Sequence, residues 1–310
     1  MASDFGKDYE LIDTGGFEKL ERVGGYVLRR PEPQAVWPKS LPEARWQQAD
    51  AWFRRSVGND GRQQGRPSDG DGSEKGQWIT RPTMPGQWKV SYPLRSLPQA
   101  HPLTFRLGMT SFKHLGLFPE QADNWEFIAQ SVRRLARPGC PPPSVLNLFA
   151  YTGGASLAAK AAGADVTHLD SVRQVVTWAN ENQTLSGLDN IRWLVEDALV
   201  FVQREVRRGR RYQGIVLDPP AYGRGPKGEK WVLDEHIAAL MDACRQLLDA
   251  QHGFVVLNLY SMGYSPLVAG NLLRSYFPQA AQSLEQGTLS FVDRSGNTLP
   301  LSVYARFCAE

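Results

Sequence analysis

From Ser144 onward, apolar runs of strand length alternate with segments of helical period. Strands are expected at Val145–Ala150, Asp165–Asp170, Ile191–Glu196, Gly214–Asp218 and Gly253–Tyr260. Helices are expected between them at Ala155–Ala162, Val172–Ser186, Leu199–Arg208 and Asp234–Leu248, with another at Leu267–Phe277. Strictly alternating strands and helices predict an α/β fold with a parallel sheet and right-handed crossovers. The end of the chain breaks the pattern. Thr288–Val292 and Leu299–Phe307 flank Asp293-Arg-Ser-Gly-Asn297, whose turn residues predict an antiparallel C-terminal hairpin.

The first part of the chain follows another pattern. Fifteen of the 21 prolines fall in residues 1–143, which favours short strands and loops because proline breaks helices and central strands. Apolar positions on both sides of Gly24-Gly25 predict a small hairpin within Tyr9–Pro31, and Trp88–Tyr92 and Leu103–Leu107 read as further strands. Leu41–Phe53 reads as one short helix, and a second is expected at Asn124–Leu135 before Cys140-Pro-Pro-Pro143. The stretch 54–77 is rich in Gly, Asp, Arg, Gln and Ser without an apolar period, and is expected to be mobile. The expected organisation is a small β-rich N-terminal region, 1–110, followed by an α/β domain, 111–310.

Composition narrows the classes. With 42% hydrophobic and 22% charged residues, the chain is ordinary globular material, and its net charge of +3 names no partner. Cys140, Cys244 and Cys308 are too few and too scattered for a disulfide framework or a zinc site, and the histidines show no metal-ligand spacing. Gly253–Leu273 carries no charge over 21 residues, but its glycines, Asn258, Asn271 and Pro266 suit a buried strand, a loop and a helix better than a membrane span. The polar, acidic opening does not read as a signal peptide. A soluble cytoplasmic protein with no metal is expected.

The chemistry is expected where strands end, because open α/β sheets bind ligands beyond the carboxyl ends of their strands. The first strand runs into Asn147-Leu-Phe-Ala-Tyr-Thr-Gly-Gly154. Gly153 and Gly154 allow a tight turn and a close backbone approach to a ligand. The spacing matches neither a dinucleotide fingerprint nor a P-loop. The second strand ends at Asp170, 17 residues beyond Gly153, where a carboxylate can accept from both hydroxyls of a ribose. The third ends at Glu196-Asp197, which could meet an adenine amino group. Each acid alone would serve equally as a helix N-cap, but the three features fall in order at successive strand ends. The fourth strand ends in Asp218-Pro-Pro-Ala-Tyr222: paired prolines stiffen the turn, Asp218 offers an acceptor and Tyr222 a stacking face.

These motifs together resemble class I S-adenosylmethionine-dependent methyltransferases. They are similar to the bacterial group containing large-subunit ribosomal RNA methyltransferases, which usually carry N-L-F-[SA]-Y-T-G and D-P-P-[KT]-F. The resemblance covers about Thr110–Phe307. It implies a Rossmann-like seven-stranded sheet whose last strand is antiparallel, and S-adenosyl-L-methionine as cofactor. It further implies that Tyr151, Thr152 and Gly153 take the methionine end, Asp170 the ribose, Asp197 and Ala198 the adenine, and Asp218 the surroundings of the sulfonium. An upstream segment closing over the cofactor corresponds to Lys113-His-Leu-Gly-Leu-Phe-Pro-Glu-Gln121, from which Phe118 and Gln121 are carried over. Where relatives often show aspartate followed by glutamine-arginine, this chain has Glu120-Gln121-Ala122.

Some family members methylate cytosine C5 through a cysteine after the fifth strand. Tyr260-Ser-Met-Gly263 has none, which disfavours carbon methylation because that chemistry needs a covalent nucleophile. The expected function is methyl transfer to a nucleobase nitrogen of ribosomal RNA, with Asp218, Pro219 and Tyr222 as the catalytic group. Arg224, Lys227 and Lys230, beside that turn, are the candidate RNA-phosphate contacts. The arginines from Arg204 to Arg211 read as a solvated helix end. The alternatives are a protein or small-molecule acceptor, or an RNA protein that binds the cofactor without turnover.

Overall fold

The structure, a computed structural model, describes residues 3–55, 76–111, 113–249, 251–260 and 263–309. It divides into two compact units, one of Met1–Tyr92, Thr104–Glu120 and Ser290–Leu301, the other of Pro93–Leu103, Gln121–Leu289 and Ser302–Glu310. The boundary expected near residue 110 falls inside a segment that clusters with the N-terminal strands. Most of the expected mobile stretch, 54–77, lies outside the described residues.

In the first unit, β1 (Tyr9–Gly15), β2 (Glu18–Val23), β3 (Tyr26–Pro31), α1 (Glu43–Trp46), β4 (Ala51–Arg55) and β5 (Gly76–Thr80) build a five-stranded sheet ordered β1-β2-β3-β4-β5. A separate pair is made by β6 (Gln87–Tyr92) and β7 (Leu103–Gly108). The expected Gly24-Gly25 turn joins β2 to β3, and Gly24 has φ 63°. The helix expected over Leu41–Phe53 is corrected: only Glu43–Trp46 is helical, and Ala51–Phe53 belongs to β4. Two contacts end the helix early. Trp46 is fully buried with its indole N–H donated to Asp13 Oδ2 at 3.0 Å, and the Val27 N–H donates to Asp50 Oδ2 at 2.8 Å, which leads the chain into parallel pairing with β3. Ala51 and Phe53 then point inward with strand period. This unit also has a charged interior. Glu21 is fully buried, accepts from the Tyr9 hydroxyl at 2.9 Å and pairs with Arg30, while Lys19 pairs with Glu32 at 3.3 Å. Burial opposes the Glu21 charge, but Arg30 and Lys19 outweigh it and hold the carboxyl below its ordinary range.

The second unit opens with α2 (Ala122–Leu135) and continues through β8 (Ser144–Leu148), α3 (Gly154–Ala161), β9 (Asp165–Asp170), α4 (Arg173–Leu185), β10 (Arg192–Val195), α5 (Ala198–Arg207) and β11 (Gly214–Leu217). A short ribbon, β12 (Tyr222–Arg224) and β13 (Lys230–Val232), precedes α6 (Leu233–Leu247), β14 (Gly253–Leu259), α7 (Pro266–Tyr276) and α8 (Ala280–Ser283). The closing strands are β15 (Glu285–Val292) and β16 (Thr298–Ala309). The seven-stranded sheet is ordered β10-β9-β8-β11-β14-β16-β15, and β16 is antiparallel to β14. The expected α/β sheet with its reversed last strands is therefore present, and the N-terminal region is β-rich. All seven residues of β14 and all four of β11 are buried, which is why they read as unbroken apolar runs. The charge-free stretch contains β14 and most of α7, and residues 261 and 262 between them lie outside the described residues. No helix among the described residues is long and apolar enough to cross a membrane.

The strand order positions the site. From β8 the chain moves outward through β9 and β10, then returns to place β11 on the other side of β8. Loops leaving β8 and β11 diverge there and open a crevice at the carboxyl ends of the strands.

Candidate active site

The turn out of β8 is built from strained backbone. Phe149 has φ 55°, Tyr151 φ 49° and Gly153 φ 93°, so two bulky side chains adopt the left-handed region that glycine alone enters freely. Such conformations cost on the order of 1–3 kcal/mol each and persist only where neighbours enforce them. Asp170 does part of that work: its Oδ2 accepts from the Tyr151 N–H at 2.9 Å, and its Oδ1 from the Val172 N–H at 3.0 Å. Asn182 Nδ2 donates to the Thr152 carbonyl at 3.0 Å. With these N–H groups bound, the carboxylate still has acceptor capacity for a ligand hydroxyl. Burial pushes the Asp170 carboxyl above its ordinary range, against the pull of the Val172, Tyr151 and Ser171 N–H groups.

Beneath the turn lies a buried polar row. Asn147 Nδ2 donates to Ser156 Oγ at 2.9 Å, and Ser156 Oγ meets His168 Nδ1 at 3.0 Å. His168 is fully buried, its Nε2 has no hydrogen-bond partner among the described residues, and burial lowers its pKa to about 3. It is therefore a neutral imidazole supporting the turn from below. Gly154 matters for packing. A Cβ there would lie 2.4 Å from Cζ2 of Trp125, which is only 4% exposed. Gly154→Ala should therefore destabilise the protein by about 1–3 kcal/mol. Chemical denaturation will show this as a lower midpoint with an unchanged m-value.

A shallow cleft, open to solvent, occupies the crevice. Its acidic lining is Asp170, Glu196 and Asp197, and its apolar lining is Phe149, Leu169, Ala198, Pro220 and Trp231. Ser171 and the Gly223-Arg224-Gly225 run complete it. The acids are not equivalent. Glu196 is engaged by Arg204 through both guanidinium nitrogens. Asp197 caps α5, its Oδ1 accepting from the Val200 N–H at 2.9 Å, and α5 leaves main-chain N–H groups of its first turn for a ligand edge. Asp170 sits between the strained turn and the cleft.

The turn after β11 is held by an aromatic group. Trp231 Nε1 donates to the Pro220 carbonyl at 2.7 Å, its ring lies 4.9 Å from Phe149, and it stacks on His236 at 5.5 Å and 27°. Tyr222 pairs across the ribbon with Val232 and is 54% exposed.

Among the residues expected from sequence, Asp170, Asp197 and Ala198 line the cleft, and Tyr151 is tied to Asp170. Thr152 and Gly153 are buried in the turn beside them. Asp218 and Pro219 follow β11, half-buried and buried, outside the cleft's lining. Gln121 lies at the start of α2, where its Oε1 accepts from Asn124 Nδ2 at 3.0 Å and Asn258 Nδ2 at 2.8 Å. Phe118 belongs to the first unit, with its ring 5.2 Å from His114. Arg224, Lys227 and Lys230, the expected RNA contacts, are all exposed, and Arg224 also borders the cleft. Sequence reasoning missed Phe149, Trp231 and the row beneath the turn. A Trp nine residues after Tyr222 carries no motif, and only the ribbon pairing brings it back to the cleft.

Residues 76–263 match the model of the S-adenosylmethionine-dependent methyltransferase family. A solved SAM-dependent methyltransferase from Agrobacterium tumefaciens is 36% identical, with a TM-score of 0.85 over 100% of this chain and 93% of that one. Among curated relatives, ribosomal RNA large subunit methyltransferase K/L of Shewanella frigidimarina is 30% identical over 46% of this chain and 19% of its own length. Ribosomal RNA large subunit methyltransferase I of Aeromonas salmonicida is 28% identical over 52% of this chain and 34% of its own. The chain thus spans about a fifth to a third of these curated relatives. With a ribose-competent carboxylate and a strained glycine turn at the switch point of the sheet, and a family match across both, the chain belongs to the S-adenosylmethionine-dependent methyltransferases.

Proposed function

We propose that the protein methylates a nucleobase nitrogen of ribosomal RNA in the cytoplasm. The observation that carries the reading is the cleft that runs from Asp170 and the start of α5 to Pro220, within the Asp218–Tyr222 turn. The residues suit the cofactor: Asp170 has lone pairs for a ribose diol, the first turn of α5 offers N–H groups to an adenine edge, and flat apolar side chains cover the remainder. Tyr151, Thr152 and Gly153 take the methionine end. The names of the curated relatives supply the RNA part of the reading.

When bound, S-adenosylmethionine supplies a methyl group activated by a positively charged sulfur. The chain's own residues align the acceptor with that methyl and exclude water, which is catalysis by orientation. The Asp218 carboxylate accepts a hydrogen bond from the acceptor nitrogen, fixing its lone pair toward the methyl. Pro219 and Pro220 keep the turn stiff, and Tyr222 stacks on the base. Lys227 and Lys230 neutralise flanking phosphates. The carbon-chemistry alternative is disfavoured by Cys244, which is fully buried with its thiol pushed up to about 12 by burial, leaving too little thiolate to attack a base.

The test is transfer of labelled methyl to unmodified ribosomal RNA, followed by nucleoside analysis. Label in an N-methylated nucleoside is expected; label only in protein, in small molecules or on carbon overturns the reading. Tyr222→Ala should lose about 1–3 kcal/mol of base stacking, so methylation should fall roughly 5- to 160-fold while cofactor affinity holds. Tyr222→Phe should keep most of the activity, because the ring does the stacking. Lys227→Ala with Lys230→Ala should lower the salt slope of RNA binding by about 1.5, the share of two phosphate contacts to a single strand.

A further inference from the structure

We infer that Trp231 is a positioning residue shared by the cofactor cleft and the acceptor turn. Its ring borders the cleft together with Phe149 and Pro220. Its indole N–H is spent on the Pro220 carbonyl, inside the segment that sets Asp218 and Tyr222. The inference rests on the reading of that turn as the place where the acceptor base is received.

Three observations converge. Trp231 is only 3% exposed, yet it is among the residues that line a solvent-open cleft. Its ring is clamped between Phe149, which leaves the strained turn after β8, and His236, in the first turn of α6. His236 is itself fixed by a contact of 2.8 Å between its Nδ1 and the Val232 carbonyl. The ribbon register sets Trp231 opposite Gly223, the residue after Tyr222. A single rigid side chain thus touches the loops of both strands that flank the switch point. A movement at the cofactor side of the ring is passed through one hydrogen bond to the acceptor turn.

Two measurements decide it. The nine tryptophans can be labelled with 5-fluorotryptophan, and the ¹⁹F resonance missing from Trp231→Phe belongs to Trp231. That resonance should shift when S-adenosylhomocysteine saturates the wild-type protein. In Trp231→Phe, the ring that borders the cleft persists but the donor to Pro220 is lost. Its kcat on unmodified ribosomal RNA should fall about tenfold, the size of one hydrogen bond to a carbonyl left unpartnered. The Kd for S-adenosylhomocysteine should stay within about threefold, because uniform binding is not what was removed. If Trp231→Phe does not fold, β-(3-benzothienyl)alanine at position 231 keeps the bicyclic shape and removes only the N–H. A resonance unmoved by ligand, or a donor-less variant with wild-type kcat, overturns the inference. If the wild-type protein methylates no ribosomal RNA, the RNA reading falls by itself, and the ¹⁹F shift still decides whether Trp231 senses the cofactor.

Discussion

Asp170→Ala should weaken S-adenosylmethionine binding by about two orders of magnitude, and no other single change in the cleft is expected to cost as much. The carboxylate faces two ways. Toward the ligand it offers acceptors to a ribose diol, each charged hydrogen bond contributing about 1.5–3 kcal/mol. Toward the protein it receives the Tyr151 and Val172 N–H groups, so its removal also frees the turn proposed to take the methionine end. Asp170→Asn keeps one acceptor and should fall between the wild type and alanine. Because burial raises this carboxyl, cofactor affinity should begin to fall on acidification at a higher pH than an ordinary aspartate would dictate. Titration calorimetry measures all of these, and a wild-type Kd for Asp170→Ala would remove the residue from the site.

Acidification should also unfold the protein earlier than its carboxylates require, and His168→Asn should cancel that effect. The folded imidazole titrates near a pKa of about 3, against an ordinary 6.5. Between those values the unfolded chain binds a proton that the folded chain refuses. The stability tied to His168 is complete above the ordinary pKa and is lost as the pH falls toward the folded one. The loss approaches about 1.4 kcal/mol per pH unit for one proton. Denaturation of the wild type between pH 6 and 4.5 should show that slope, and His168→Asn, which can still bond Ser156, should be shallower by about one proton. An identical slope in the two proteins would show that His168 takes up its proton without unfolding.

The parallel sheet is legible because β8, β11 and β14 are buried, largely apolar runs separated by helices, the pattern of a sheet covered on both faces. The ends of Asp165–Asp170 came out to the residue. Leu41–Phe53 was misjudged because its apolar spacing fits a short helix as well as a turn followed by a strand. What decided between them was Asp13 and Asp50, distant acceptors that no local pattern reveals. The same limit applied to the site. Asp170 and Asp197 announce themselves at strand ends, whereas Trp231 reaches the cleft only through pairing of β12 with β13. Arg224, two residues after Tyr222, is a phosphate-contact candidate from sequence, and only the ribbon shows that it also borders the cleft. His168 carries no sequence signal because its depressed pKa comes from complete burial, a property of packing rather than of residue order.

The left-handed backbone of Phe149 and Tyr151 sets conformational stability and transfer chemistry against each other. A glycine or asparagine at either position would relieve the strain. Selection for thermal tolerance alone, in the laboratory or by consensus engineering, would push both positions toward those residues. It would thereby discard the ring that meets Trp231 and slacken the chain that Asp170 holds. The two aromatics mark a standing sacrifice of robustness, and a more durable version of this protein would best be sought by changes that leave this turn as it is.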